Sequence, residues 1–290
     1  MKLFTDIPCE KITEIALSDP VCVLGSCFTD EIGLRLEAAG FAVLRNPFGT
    51  LYNPASLASA VARLDSAAPF TPEDCVEMGA GAGRVCSFSH HTSFARPTAE
   101  AFLAHANAHL EEASARWRAC RHVILTLGTA WVWRALERPG QPVVANCLKR
   151  PAREFSHEPL SVEACTELLR GIIEAHPDKQ FLLTVSPIRH LGDGARANTV
   201  SKATLHLAAE RVSQPADGRR PGVRYFPAYE ILMDELRDYR FYAEDLVHPS
   251  PTAVQIVWER FLDACTVPAE RERILAAERA SRAANHRPLQ

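Results

Sequence analysis

A cysteine on a Gly-Ser turn near the start of the chain, and an aspartate three residues before a histidine near its end, are the groups whose types and spacing point to chemistry. Gly25-Ser26-Cys27-Phe28 follows the apolar run Val21-Cys22-Val23-Leu24, which reads as a buried strand, with Thr29 or Asp30 placed to cap the helix behind it. Backbone N–H groups and the helix dipole favour an anion at such a turn, so a thiol there is expected to have a lowered pKa and raised nucleophilicity. In Asp245-Leu246-Val247-His248 the carboxylate can fold back in one turn and accept from the imidazole Nδ1–H. That bond fixes the tautomer and leaves Nε2 free as a base. A nucleophile early in the chain and an Asp–His pair late in it form a workable triad if a fold brings both ends together.

The elements between them suggest such a fold. Short apolar runs near residues 21, 41, 122, 181 and 223 alternate with helical stretches, among them 99–118, 198–213 and the helix opened by Ser250-Pro251. Strand–helix alternation with continuous apolar strands predicts a mostly parallel sheet of about five strands, covered on both faces. We expect one α/β domain over residues 1–265, with insertions at about 65–118 and 134–160, and an exposed helical tail over 266–290. Ligands of open parallel sheets bind beyond the carboxyl ends of the strands. Asn46 to Gly49, Gly128 to Trp131 and Arg189-His190 all fall at such ends.

Composition narrows the function classes. The chain has 290 residues, 47% hydrophobic and 23% charged, which suits a globular protein with a sizeable core. The net charge of −3 gives no footprint for nucleic acid or an anionic membrane. The 5 Lys and 27 Arg are scattered rather than clustered. Nine Cys occur without a CxxC pair, so reduced thiols in a cytosol are the expectation, with no metal and no cofactor. His105 and His109 stand four apart on a helix but lack a third ligand, and read as a solvated face. The amino-terminal stretch has acids at Asp6, Glu10 and Glu14 and no apolar core, unlike a signal peptide.

Six blocks carry a resemblance: GSCFTDEIG at 25–33, NPFGTLYNP at 46–54, LTLGTAWVW at 125–133, VVANC with a Lys and Pro behind it at 143–151, TVSPIRH at 184–190, and DLVHPS at 245–250. In this order they resemble the GSCFA-domain family, which is related to the SGNH/GDSL hydrolases. The resemblance implies a flavodoxin-like three-layer α/β/α sandwich and acyl-ester chemistry. The hydrolase pattern begins Gly-Asp-Ser, so an ungapped match puts Cys27 in the nucleophile position; Ser26 takes it after a one-residue shift. Cys27 is favoured, with Ser26 kept as the alternative, and the late block maps onto Asp245 and His248. The oxyanion Gly of the second block maps onto Gly49. The third block has Ala130 where Asn is expected after Gly128-Thr129, so one oxyanion donor is missing, or Asn46 or Asn53 supplies it from elsewhere. His91 and Arg189 are further candidates for lining the pocket or holding a substrate anion. The expected activity is acyl-ester hydrolysis on a small or carbohydrate-linked ester. Acyl transfer to a sugar hydroxyl and non-catalytic ligand binding on the same scaffold are the alternatives.

Overall fold

Side chains of each apolar run alternate between two cores, one on either face of a central sheet. The computed structural model describes residues 5–214 and 222–285. The chain begins β1 (Val21–Gly25), α1 (Cys27–Ala38), β2 (Val43–Arg45), α2 (Pro54–Ser66). A short hairpin of β3 (Val76–Glu77) and β4 (Val85–Cys86) precedes α3 (Ala99–Ala119) and β5 (His122–Leu127). The strands β6 (Trp131–Ala135), β7 (Val143–Val144) and β8 (Phe155–Pro159) follow. The rest comprises α4 (Val162–Glu174), β9 (Gln180–Val185), α5 (Ala195–Ser213), β10 (Val223–Tyr225), the short α6 (Ala228–Glu230), α7 (Pro251–Cys265) and α8 (Arg271–Asn285).

The central sheet runs β2-β1-β5-β9-β10, and every pairing in it is parallel. Counting only these strands in chain order gives 2-1-3-4-5, the flavodoxin-like order, whose switch point lies between β1 and β5. Leu24, Val123, Leu125 and Leu183 point to the face covered by α2, α3, α4 and α5. Val23, Ile124 and Leu182 point to the face covered by α1, α7 and α8. The expected three-layer α/β/α sandwich is the observed architecture.

Residues 65–118 hold the β3–β4 hairpin, with the glycine-rich 79–83 at its tip, and α3, whose Phe102, Leu110 and Trp117 enter the first core. Residues 134–160 complete a small antiparallel sheet ordered β7-β6-β8. Three local expectations are corrected. The first helix begins at Cys27, with Ser26 in the N-cap position, so neither Thr29 nor Asp30 caps it. The second sheet strand begins at Val43 rather than Phe41, because the Phe41 N–H closes the end of α1 by donating to Leu36 O at 3.0 Å. The terminal helix is docked rather than exposed: Ile274 is fully buried, and Glu278 accepts a 2.6 Å hydrogen bond from Trp258 Nε1. Residues 286–290 of the expected tail lie outside the described residues.

His90 shows how the first core handles a titratable group. It is buried among Phe48, Phe70, Phe94 and Phe102, and its Nδ1 meets Ser87 Oγ at 2.7 Å. Burial, then the charges of His109, Arg63 and His105, push its pKa down to about 3. The unfolded chain therefore takes up a proton below about 6.5 that the folded chain refuses, so stability falls as the pH drops from there towards 3. We expect the melting temperature to decline between pH 6.5 and 4.5, and His90→Phe to flatten that decline; an unchanged slope in the variant would assign the acid sensitivity elsewhere.

Candidate active site

The turn after β1 sets the position of Cys27. Gly25 is confined there: a Cβ on it would lie 2.3 Å from Thr126 O on the neighbouring β5. Asn46 Oδ1 accepts from Gly25 N at 2.9 Å, and Leu51 N donates to Gly25 O at 2.8 Å, so the segment after β2 straps across the end of β1. Cys27 is thereby the first residue of α1, where the leading N–H groups have no partner within the helix.

Cys27 Sγ lies 3.8 Å from His248 Nε2. On the other side of the ring, His248 Nδ1 meets Asp245 Oδ2 at 2.6 Å. Asp245 Oδ1 also accepts from the N–H groups of Val247 and His248, each at 2.9 Å. These bonds hold the Asp245 carboxyl down at about 2, so it is ionised and the imidazole is oriented. The turn needs Leu246 at φ +56°, and it is closed by Ala243 N donating to His248 O at 2.8 Å. Residues 221 positions apart in sequence thus meet at the carboxyl edge of the sheet, with the His248 and Asp245 side chains half open to solvent.

Ser26 is placed differently. It is fully buried, and its Oγ has no hydrogen-bond partner among the described residues. The thiol, not this hydroxyl, faces the imidazole. The thiol pKa differs from expectation: burial pushes it up, the N–H groups of Cys27 and Phe28 pull it down, and burial outweighs them. The resting sulfur is therefore a thiol at neutral pH, and forming a thiolate requires a base at Nε2.

The residues expected to donate to an oxyanion are mostly committed to structure. Gly128 N and Thr129 N both donate to Tyr52 O at 2.8 Å, and Gly49 N donates to Asn46 O at 2.7 Å. Asn46 Nδ2 donates to Asp30 Oδ1 at 2.9 Å. Gly49 is required because its φ is +79° and His91 Cβ sits 2.3 Å from where its own Cβ would be. His91 packs on that turn and caps the following short helix, while Arg189 is a half-buried neighbour of Tyr229. Neither hydrogen-bonds to Cys27 or His248. Asn53 Oδ1 caps α2 by accepting from Ser56 N at 2.8 Å. Among the described residues no group of three or more His, Cys, Asp or Glu is arranged to hold a metal.

A polar face of α5 supports this edge, and it was missed in the sequence. Lys202 is buried, and its Nζ donates to Gly128 O at 2.6 Å and Ser186 O at 2.7 Å, tying the ends of β5 and β9 together. Burial lowers its pKa to about 7. Ser201 Oγ accepts from Ala130 N at 2.7 Å, and Asn198 Oδ1 accepts from His190 N at 2.9 Å. The available signal was a lysine on the helical stripe of Asn198, Ser201 and Leu205, which faces inward.

Residues 20–261 match the GSCFA family. No curated protein matches the chain. Within the matched region, removal of Lys202 tests how the ends of β5 and β9 are held. Lys202→Ala leaves two buried carbonyls without a donor and a void beneath them, and we expect a loss of about 2–4 kcal/mol in urea unfolding. A loss below 0.5 kcal/mol would mean that the carbonyls find other partners.

Proposed function

Because the chain belongs to the GSCFA family and holds a thiol, an imidazole and a carboxylate in hydrogen-bond sequence, we propose that it is an acyl-ester hydrolase related to the SGNH/GDSL enzymes. The observation that carries this reading is the contact of Cys27 Sγ with an imidazole whose other nitrogen is held by Asp245. The proposed substrate is a small or carbohydrate-linked ester, handled without metal or cofactor.

His248 Nε2 takes the Cys27 proton as the sulfur adds to the ester carbonyl carbon. The carbonyl π pair moves to oxygen, giving a tetrahedral oxyanion beside the Cys27 N–H. Collapse breaks the C–O bond, and the imidazolium gives its proton to the departing alkoxide, leaving a thioester on Cys27. His248 then deprotonates a water that attacks the thioester, and the sulfur leaves and recovers the proton. Asp245 stays ionised throughout and stabilises the imidazolium. The raised thiol pKa supports base-assisted attack over a preformed thiolate. The half-open Asp–His pair supports water as acceptor; with a sugar hydroxyl in its place the same thioester would give acyl transfer. No helix of the described residues is long and apolar enough to cross a membrane. The proposed setting is the cytoplasm, in keeping with nine unpaired thiols.

Intact-mass measurement after mixing with p-nitrophenyl acetate tests the reading. We expect one acetyl group on Cys27, retained in Ser26→Ala and lost in Cys27→Ala. His248→Ala and Asp245→Asn should slow its formation roughly 10²–10⁴-fold. An adduct that survives Cys27→Ala, or forms at an undiminished rate in His248→Ala, would rule the mechanism out.

A further inference from the structure

We propose that His190 donates from Nε2–H to the oxyanion, completing with the Cys27 N–H the hole that Gly128, Thr129 and the position of Ala130 do not supply. This inference rests on the acyl-ester reading of Cys27.

The position of the ring carries the argument. His190 follows β9 at the carboxyl edge of the sheet, and its Nε2 is buried with no hydrogen-bond partner among the described residues. An orphaned buried polar atom costs about 1–3 kcal/mol, so it persists where something outside the resting chain completes it. Nε2 lies beside Gly128, where the absence of a side chain leaves the nitrogen uncovered. A Cβ placed on Gly128 would lie 3.0 Å from Tyr52 O, 3.2 Å from His190 Nε2 and 3.3 Å from Ser26 Cβ. A side chain at 128 would therefore crowd Nε2, and Ser26, the residue next to Cys27, borders the same corner. Tyr52 O is already engaged by two N–H groups, which leaves Nε2 as the polar edge with capacity to spare.

The ring is also fixed and uncharged. Tyr52 packs edge-on against it, with centroids 5.3 Å apart and planes at 78°, and Asn198 holds its backbone N–H. Burial, then the charges of Lys202 and His248, push its pKa down to about 4. At neutral pH His190 is therefore a neutral imidazole whose Nε2–H tautomer offers one rigid donor. It cannot compete with His248 as the base in this role, because its proton stays on nitrogen while the carbonyl oxygen gains charge. Lys202 lies behind the corner, with its Nζ donating to Gly128 O.

Two reagents separate this role from a structural one. Iodoacetamide alkylates a thiolate by displacing iodide and forms no oxyanion, whereas p-nitrophenyl acetate must pass through one. His190→Phe keeps a ring against Tyr52 and removes the donor; His190→Gln removes the ring and restores an N–H. We expect His190→Phe to slow single-turnover acetylation of Cys27 by roughly 10²-fold. Its alkylation rate should stay within twofold of the parent, and His190→Gln should recover part of the acetylation rate. Acetylation of His190→Phe at the parental rate would overturn the inference. So would an equal fall in both reactions, which would mean that the ring only positions Cys27. Absence of Cys27 acetylation in the parent chain would instead remove the acyl-ester reading, and this proposal with it.

Discussion

The amino group of Lys202 between two backbone carbonyls is the contact on which the rest of the edge depends. Parallel strands end with carbonyls that have left the sheet ladder and need donors from elsewhere. Burying a charge to satisfy them is costly unless every donor is used. Lys202 places two N–H donors on Gly128 O and Ser186 O, and burial brings its pKa down to about 7, while Ser201 and Asn198 on the same helix take the N–H groups of Ala130 and His190. One helix face therefore fixes the ends of β5 and β9 relative to each other. Gly128 and His190, which border the corner beside Cys27, inherit their positions from it.

The chemistry of the site follows from a balance of burial against fixed dipoles. The N-terminus of α1 pulls the Cys27 thiol towards ionisation, but desolvation is larger and keeps the proton on sulfur. A thiol held in this way is protected from indiscriminate reaction and depends on its partner. That partner is held from the solvent side by an ionised Asp245, which takes three hydrogen bonds from a single four-residue turn. The thiol is thus packed against the core and the imidazole is carried on an open loop. The two halves of the site can respond differently to substitution.

What the sequence disclosed and what it hid divide along contact range. The strands near 21, 122, 181 and 223 were legible because both faces of a parallel sheet are covered, so their residues are apolar without alternation. The Asp245–His248 bond was legible because three residues of separation close one turn. The N-cap at Ser26 was not, because the helix start is set by Gly25 meeting Thr126 O on another strand. Nor was the fate of Gly128 and Thr129, whose N–H groups are taken by Tyr52 O, a partner 76 positions away for the first of them. Lys202 gave a local clue, a charge on an inward stripe, but its acceptors belong to two distant strands. Residue types announced the reactive groups; long-range backbone bonds decided which donors were left for them.

The docking of α8 has a practical corollary for anyone trimming the polypeptide. The family match stops at residue 261, inside α7, yet Trp258 in that helix sends its indole N–H to Glu278, and Ile274 fills the core shared with α1. A cut at the family boundary would strand that indole in an apolar interior and uncover the back of the helix that begins with Cys27. A fragment that keeps these contacts therefore extends past the recognised segment, at least to Glu278.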